Sequence, residues 1–418
     1  MRPRSGRQMA IGYPIVSIAI GLPLAYVIAT FAADLLARGG FPLPPEGRRI
    51  GCIDGLRGYL ALSVFAHHFI KWIQVTRLGE DWALVTISVR FFHQLGAAGV
   101  ALFFMTTGLV FYPRVLAGFR ACSWPAIYTS RIFRIVPLIV FSVAVITFII
   151  YLRTGNGLDD KYPIAAAQWI ITWGEPPLLG YENSYRLNAG VLWSLWFEWL
   201  FYILVLPALA LIMDVTRVYF SSYVLPIGLL LISVVFRTFT PTSIFLYLPL
   251  FATGMCAYEV RRNEKIVQLL RTPAATTIAV AALGFGMVVV SNPYYIALPL
   301  FGFFFVCVAC GNSIWGLLRT RGALVLGESS YSIYLLHGIL LSLFFIDAAR
   351  ITRAVSTQQL PLLLPFLALV LIGFAALTFL FIERPAIRLG ARIVRYWKVR
   401  RFQPGASGIA PMSNSAPQ

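Results

Sequence analysis

The sequence predicts an all-α fold, a polytopic transmembrane helical bundle of about eleven spans: a ten-helix core with one extra N-terminal helix. Three observations predict it. Of the 418 residues 59% are hydrophobic and only 12% charged, and the mean hydropathy is +0.79. The apolar residues fall into runs long enough to cross a ~30 Å hydrocarbon core. Basic residues gather between alternate runs, the distribution that keeps loops in the cytosol.

Residues 1–10 are basic and polar, with Arg2, Arg4 and Arg7. The apolar run from 11 to about 36 lacks a small-residue cleavage site of A-x-A type, so it reads as a retained helix rather than a signal peptide. Residues 37–52 form a Gly/Pro-rich linker with Gly39, Gly40, Pro42, Pro44 and Pro45. Further spans are expected near 58–75, 96–112, 135–152, 193–213, 223–236, 243–259, 274–291, 294–312, 330–347 and 361–382. Residues 403–418, rich in Pro, Ser and Gly, read as a disordered tail. The chain thus divides into an N-terminal segment at 1–52, a membrane domain at 53–390 and a basic, then disordered, tail at 391–418. It shows no internal repeat.

Placing 113–134 inside and alternating from there gives 22 Lys and Arg in the inside segments against 8 outside. This orients the last ten helices with both ends cytosolic, so the C-terminus is cytosolic and the first helix starts outside. An interfacial or re-entrant first segment is the alternative. The expected location is the plasma (inner) membrane, with the lipid bilayer as a partner. The net charge of +18 does not imply a nucleic-acid partner, because the basic stretches lie between apolar spans rather than beside base-stacking aromatic loops. The five cysteines include Cys307-x-x-Cys310 inside an apolar run with no second ligand pair. That pattern reads as core packing, and no metal site or disulfide framework is expected.

Ile53-Asp54-Gly55-Leu56-Arg57 leads into an apolar helix that carries His67 and His68. Eleven residues separate Arg57 from His68, about three turns plus ~20°, so both lie on one face about 16 Å apart along the axis, with His67 turned ~80° away. An acid, an arginine and a histidine on one line towards mid-bilayer are costly and mark a functional site by default. The alternative is a charge pair at a helix end with a histidine satisfied by a neighbouring helix. Glu198 and His337 also lie inside apolar runs, at depths from which they and His68 can meet near mid-membrane. Glu198 with a histidine would make an oriented acid/base pair, since a carboxylate fixes the imidazole tautomer; interhelical bonds that merely hold the bundle are the alternative. His93, at an outer helix end, reads as interfacial.

Arg57, Arg131, Arg134 and Arg384 fall at inner helix ends, where paired guanidinium donors suit a phosphorylated cytosolic ligand. Plain positive-inside anchoring is the alternative. The Arg57–His68 length of about 16 Å is what a long thioester carrier needs between its phosphates and its reactive end. The outer loop 153–192 is mildly acidic and holds Trp169, Trp173 and Tyr181, which suits either sugar or headgroup recognition or an interfacial belt.

These residues carry a family resemblance. The chain resembles the membrane-bound acyltransferase 3 family, which O-acylates cell-surface glycans, lipopolysaccharide, Nod factors and related acceptors. The matching pieces are Ile53-Asp54-Gly55-Leu56-Arg57-Gly58 with Arg-x10-His to His68, and Gly99-Val100-Ala101-Leu102-Phe103-Phe104 with Gly108. They continue with Arg131-Ile132-Phe133-Arg134, then Trp193-Ser194-Leu195 with Glu198, Phe201 and Tyr202. The last are Ser330-Tyr331-Ser332-Ile333-Tyr334-Leu335-Leu336-His337 and Ile382-Glu383-Arg384-Pro385. Each piece is weak alone; six in order across about residues 50–390 are specific. The chain departs from the pattern at Thr107-Gly108, where Ser-Gly is usual, and at Trp199, which replaces the second acid of a Glu-Glu pair and leaves the load on Glu198. Nothing after Pro385 reads as the esterase-like domain fused to some members.

The resemblance implies transfer of an acyl group, acetyl by expectation, from acyl-CoA to a hydroxyl of a carbohydrate or glycolipid, with no permanently bound cofactor. His68 is the expected general base, with an acyl-histidine relay as a variant, and Glu198 its catalytic partner. Arg57, Arg131, Arg134 and Arg384 are expected to hold the donor, supported by Asp54, Tyr334, His337 and Glu383. A transporter or flippase of lipid-linked saccharides is the rival class. It would show duplicated halves or matching broken helices, and the sequence shows neither.

Overall fold

A computed structural model describes residues 14–43, 50–82, 90–239, 244–290, 294 and 296–402. The basic segment at 1–10, residues 44–49 of the linker and the tail at 403–418 lie outside them. Among the described residues every regular element is a helix and no strand forms.

Each expected apolar segment is helical. In order they are α1 (Ile15–Arg38), α2 (Gly51–Arg77), α3 (Arg90–Ala117) and α4 (Trp124–Thr154). Next come α5 (Leu192–Thr216), α6 (Val224–Phe239), α7 (Leu248–Val260), α8 (Pro273–Val289) and α9 (Leu298–Ala309). The last two are α10 (Ser330–Asp347) and α11 (Leu360–Trp397). Six of them, α1, α3, α4, α5, α10 and α11, are long and apolar enough to cross a membrane. The pair Glu264–Leu270 and α8, bent by 71°, makes a seventh if it is one span. Helix α2 has 27 residues, but His67, His68, Lys71 and Gln74 dilute its apolar run.

The helix boundaries matter for the chemistry. Helix α2 begins at Gly51, nearly two turns before the expected start, so Asp54 and Arg57 lie within it. Asp54 is in the first turn, where the helix dipole favours a carboxylate. Three helices contain a π-helical turn: Phe201–Val205 in α5, Leu343–Asp347 in α10 and Phe379–Glu383 in α11. Such turns re-aim the side chains that follow and are frequent at functional sites.

Helices α2, α3 and α10 form the centre, with α7 across α3 and α11 against α1 and α4. The α3–α7 crossing needs glycine on both sides. A Cβ at Gly108 would sit 2.0 Å from the Phe251 carbonyl oxygen, and one at Gly254 would sit 1.9 Å from that of Met105. Small residues at such crossings let helix backbones touch, which is how membrane helices gain packing. Helix α1 is tied to α2 by Tyr26 Oη to Ser63 Oγ at 2.6 Å and Thr30 Oγ1 to Tyr59 Oη at 3.1 Å. Its opposite face, with Val16, Ile20, Val27 and Phe31, is exposed as a lipid-facing side would be.

The segment between α4 and α5 is folded rather than loose. It holds the helices Tyr162–Ile170 and Ser184–Leu187 and an antiparallel bridge between Leu178 and Tyr181. Trp169, expected to serve recognition or an interfacial belt, is instead fully buried, and its Nε1 donates to the Pro176 carbonyl at 2.9 Å. Trp173 is exposed and stacks on Trp196 with ring centroids 6.2 Å apart. Cys307 and Cys310 are buried in the core.

Candidate active site

Two groups of polar side chains sit in the centre of the bundle. The first lines a cavity of about 460 Å³ walled by α2, α3, α4, α5, α7 and α10. Five arginines line it, Arg57, Arg114, Arg131, Arg134 and Arg261, against two acids, Asp54 and Glu198. The wall is therefore strongly cationic. Arg57 approaches Asp54, one turn back on α2, at 3.8 Å. Arg131 Cζ lies over the rings of Phe111 and Tyr202, 5.2 and 5.9 Å from their centroids, so two aromatic faces stabilise its charge.

Glu198 is built into a hydroxyl network. Its Oε1 accepts from Thr107 Oγ1 at 2.8 Å and from Tyr202 Oη at 3.0 Å. Tyr202 lies in the π-helical turn just beyond Glu198. The expected acid/base pairing of Glu198 with a histidine is not found among the described residues. Both hydroxyls bond Oε1, while His68 and His337 are turned to each other and to the carbonyls of their own helices. On the next wall Ser194 Oγ meets Tyr334 Oη at 2.7 Å, and both lie within hydrogen-bond distance of the Val191 carbonyl.

The second group is a histidine pair. His68 of α2 and His337 of α10 meet through His68 Nδ1 and His337 Nε2 at 3.1 Å. His68 Nδ1 also faces the Val64 carbonyl at 3.0 Å, and His337 Nδ1 faces that of Ile333 at 3.3 Å. One proton assignment satisfies all three contacts. Each ring carries its proton on Nδ1, His68 shares that proton between Val64 and His337 Nε2, and His68 Nε2 keeps a free lone pair. The opposite tautomer would set a lone pair against the Val64 oxygen. His67 turns away, as the helical wheel requires, and its Nδ1 meets the Phe92 carbonyl at 3.1 Å. His93, read as interfacial, stands beside His67 with ring centroids 5.9 Å apart.

Tyr334 links the two groups: it lines the cavity, and its ring centroid is 6.1 Å from that of His337. Behind the cavity, Glu383 is buried and accepts from Ser332 Oγ, which in turn accepts from Thr378 Oγ1 at 2.9 Å. Arg384, one residue on, is not among the residues that line the cavity. Outside the spans, Glu175 accepts from Asn188 Nδ2 at 3.0 Å, and burial pushes its carboxyl up to about 7. The Asn188–Ala189 backbone rests on α10 beside His337, where a Cβ at Gly338 would sit 2.4 Å from the Asn188 carbonyl carbon.

The structure thus gathers Arg57, Arg131, Arg134, Asp54, Glu198 and Tyr334 on one cavity, pairs His68 with His337, and sets Glu383 behind them. Arg114, Arg261, Thr107, Tyr202 and Ser332 complete the site without having been assigned to it from sequence. Positive-inside counting notices the two arginines only as charges; the three hydroxyls stand in or beside the matching pieces, but a hydroxyl in an apolar run does not show which group it will bond. The family model of acyltransferase 3, described as an acyltransferase domain, matches residues 50–382. No curated protein and no solved structure matches the chain.

Proposed function

The chain belongs to the acyltransferase 3 family, and on that premise we propose that it is a multi-pass membrane O-acyltransferase. It moves an acyl group, acetyl in the first place, from acyl-CoA to a hydroxyl of a carbohydrate or glycolipid. The observation that carries this reading is the five-arginine cavity beside a hydrogen-bonded histidine pair with one free ring nitrogen. Arginine forks hold phosphates through paired, charge-assisted bonds, and a neutral imidazole is the usual base for a hydroxyl.

The reaction is written on these residues. The donor phosphates rest on Arg57, Arg131 and Arg134, with Arg114 and Arg261 beside them; Arg384 is left out of the set. The pantetheine arm runs along the α2 face towards His68. Its Nε2 takes the acceptor hydroxyl proton as that oxygen attacks the thioester carbonyl. The tetrahedral intermediate then collapses, the C–S bond breaks, and the leaving sulfur takes the proton back from His68, so ester and CoA thiol are formed and the ring is neutral again. His337 Nε2 shares the positive charge on His68 while it lasts. Glu198 Oε2 receives no hydrogen bond among the described residues and is assigned to orient the reacting groups.

We assign eleven spans in the plasma (inner) membrane with a cytosolic C-terminus, because the basic residues divide 22 to 8 on that arrangement. The arginine-lined cavity then opens where acyl-CoA is made. The test is transfer of labelled acetyl from acetyl-CoA to membrane saccharides. The wild type and His67→Ala should label them, and His68→Ala at equal abundance should not. An active His68→Ala with an inactive His67→Ala would refute the assignment.

A further inference from the structure

A second cavity, of about 420 Å³, adjoins the first, and Tyr258 lines both. Helix α7 ends between them, so that consecutive residues serve different sites: Arg261 lines the first cavity and Arg262 the second. Arg217, Phe220 and Ser222, just beyond α5, complete the wall that matters here. Arg262 is held in place by Glu259 Oε2 at 3.0 Å and Ser222 Oγ at 3.2 Å. Arg217 is exposed and makes no ion pair among the described residues. Phe220 is 58% exposed and lines the same cavity as both arginines.

An uncovered aromatic face, a free arginine and a second fixed arginine suit a flat ring that carries a phosphate. A space above ~300 Å³ is ordinary for a small-molecule site. We propose that this second cavity binds the adenosine 3′-phosphate end of the CoA donor. Arg217 and Arg262 take the phosphate, Phe220 and Tyr258 lie against the purine, and the diphosphate passes Tyr258 to reach the arginines of the first cavity. This rests on the acyl-CoA reading above. It adds a nucleotide site that the arginines of α2 and α4 do not supply. A lipid phosphate would meet the same arginines, with the ring against the bilayer beside the exposed Val218, Tyr219 and Tyr223; binding of a lipid-free nucleotide separates the two.

The experiment measures direct binding of adenosine 3′,5′-bisphosphate and of inorganic phosphate to the purified full-length protein. It also compares KM for acetyl-CoA with KM for S-acetyl-pantetheine, a donor without the nucleotide. Arg217→Ala should weaken nucleotide binding about tenfold, the loss of roughly one charge-assisted bond, and raise KM for acetyl-CoA alike. It should leave S-acetyl-pantetheine turnover unchanged. Phe220→Ala should weaken the nucleotide several-fold and leave inorganic phosphate alone. Unchanged nucleotide affinity in both variants, or an equal rise in KM for both donors, would overturn the proposal. Arg217-dependent nucleotide binding without acyl transfer would uphold the site and overturn the acyltransferase donor reading instead.

Discussion

Replacing His337 by Phe tests the histidine pair most sharply. The substitution keeps an aromatic ring in a fully buried position and removes the Nε2 that accepts from His68 at 3.1 Å. His68 Nδ1 retains the Val64 carbonyl at 3.0 Å, so its tautomer survives and its free Nε2 with it. What is lost is half of a shared bond to a ring that becomes charged in the reaction. A hydrogen bond to a charged group contributes about 1.5–3 kcal/mol, and each 1.36 kcal/mol on the barrier is tenfold in rate. His337→Phe should therefore lower kcat about ten- to a hundredfold, less than the 10²- to 10⁴-fold typical of losing the base itself. The double variant His68→Ala, His337→Phe should be no slower than His68→Ala alone, because the two rings act as one unit. The assay is labelled acetyl transfer in membranes, normalised to the abundance of each variant. A wild-type rate in His337→Phe, or additive losses in the double variant, would refute the pairing.

Arg131→Ala should weaken acyl-CoA binding about tenfold while the protein still inserts, and Arg131→Lys should restore only part of it, since lysine offers no fork; titration of acyl-CoA onto purified protein checks both. Glu175 holds its proton more tightly in the docked segment than in an open one, its carboxyl lying near 7 against an ordinary 4.5. Docking of 172–191 onto α10 is therefore strongest below about 4.5 and weakens as pH rises through about 7, by at most about 3 kcal/mol. Hydrogen exchange of that segment between pH 5 and 8 should show this loosening, and Glu175→Gln should flatten it; a segment equally protected at both ends of the range would remove Glu175 from the account. With Cys122, a free and partly exposed thiol, first replaced by Ser, a cysteine at the exposed position 121 should be labelled only from the cytosolic side and one at 158 only from outside. Labelling of 158 from the cytosol would invert the topology and with it the placement of the arginine cavity.

The line from Arg57 to His68 was legible because helical periodicity alone relates two residues eleven apart, and both prove to lie within α2. That Glu198 lies within an apolar helix was legible too, but its partners were not. Thr107 reaches it across 91 residues of chain. The substitution of Thr for the usual Ser before Gly108 keeps the hydroxyl that Glu198 uses, a reason visible only once α3 and α5 are side by side. The π-helical turn that presents Tyr202 leaves no pattern in an apolar run, because side-chain hydropathy does not report how tightly the backbone is wound.

The amino-acid sequence by itself determined that the chain is a helical membrane bundle, where its apolar segments fall, which residues of α2 share a face, and its family. Each of these depends on composition or on neighbours within one helix. Tertiary structure alone decided that His68 pairs with His337, 269 residues away, that Glu198 answers to hydroxyls, and that Arg114 and Arg261 line the cavity while Arg384 does not. Those outcomes depend on which helices touch and at what height. That is set by close backbone crossings such as Gly108 on Phe251 and Gly338 on Asn188, and a crossing has no address in either helix read alone.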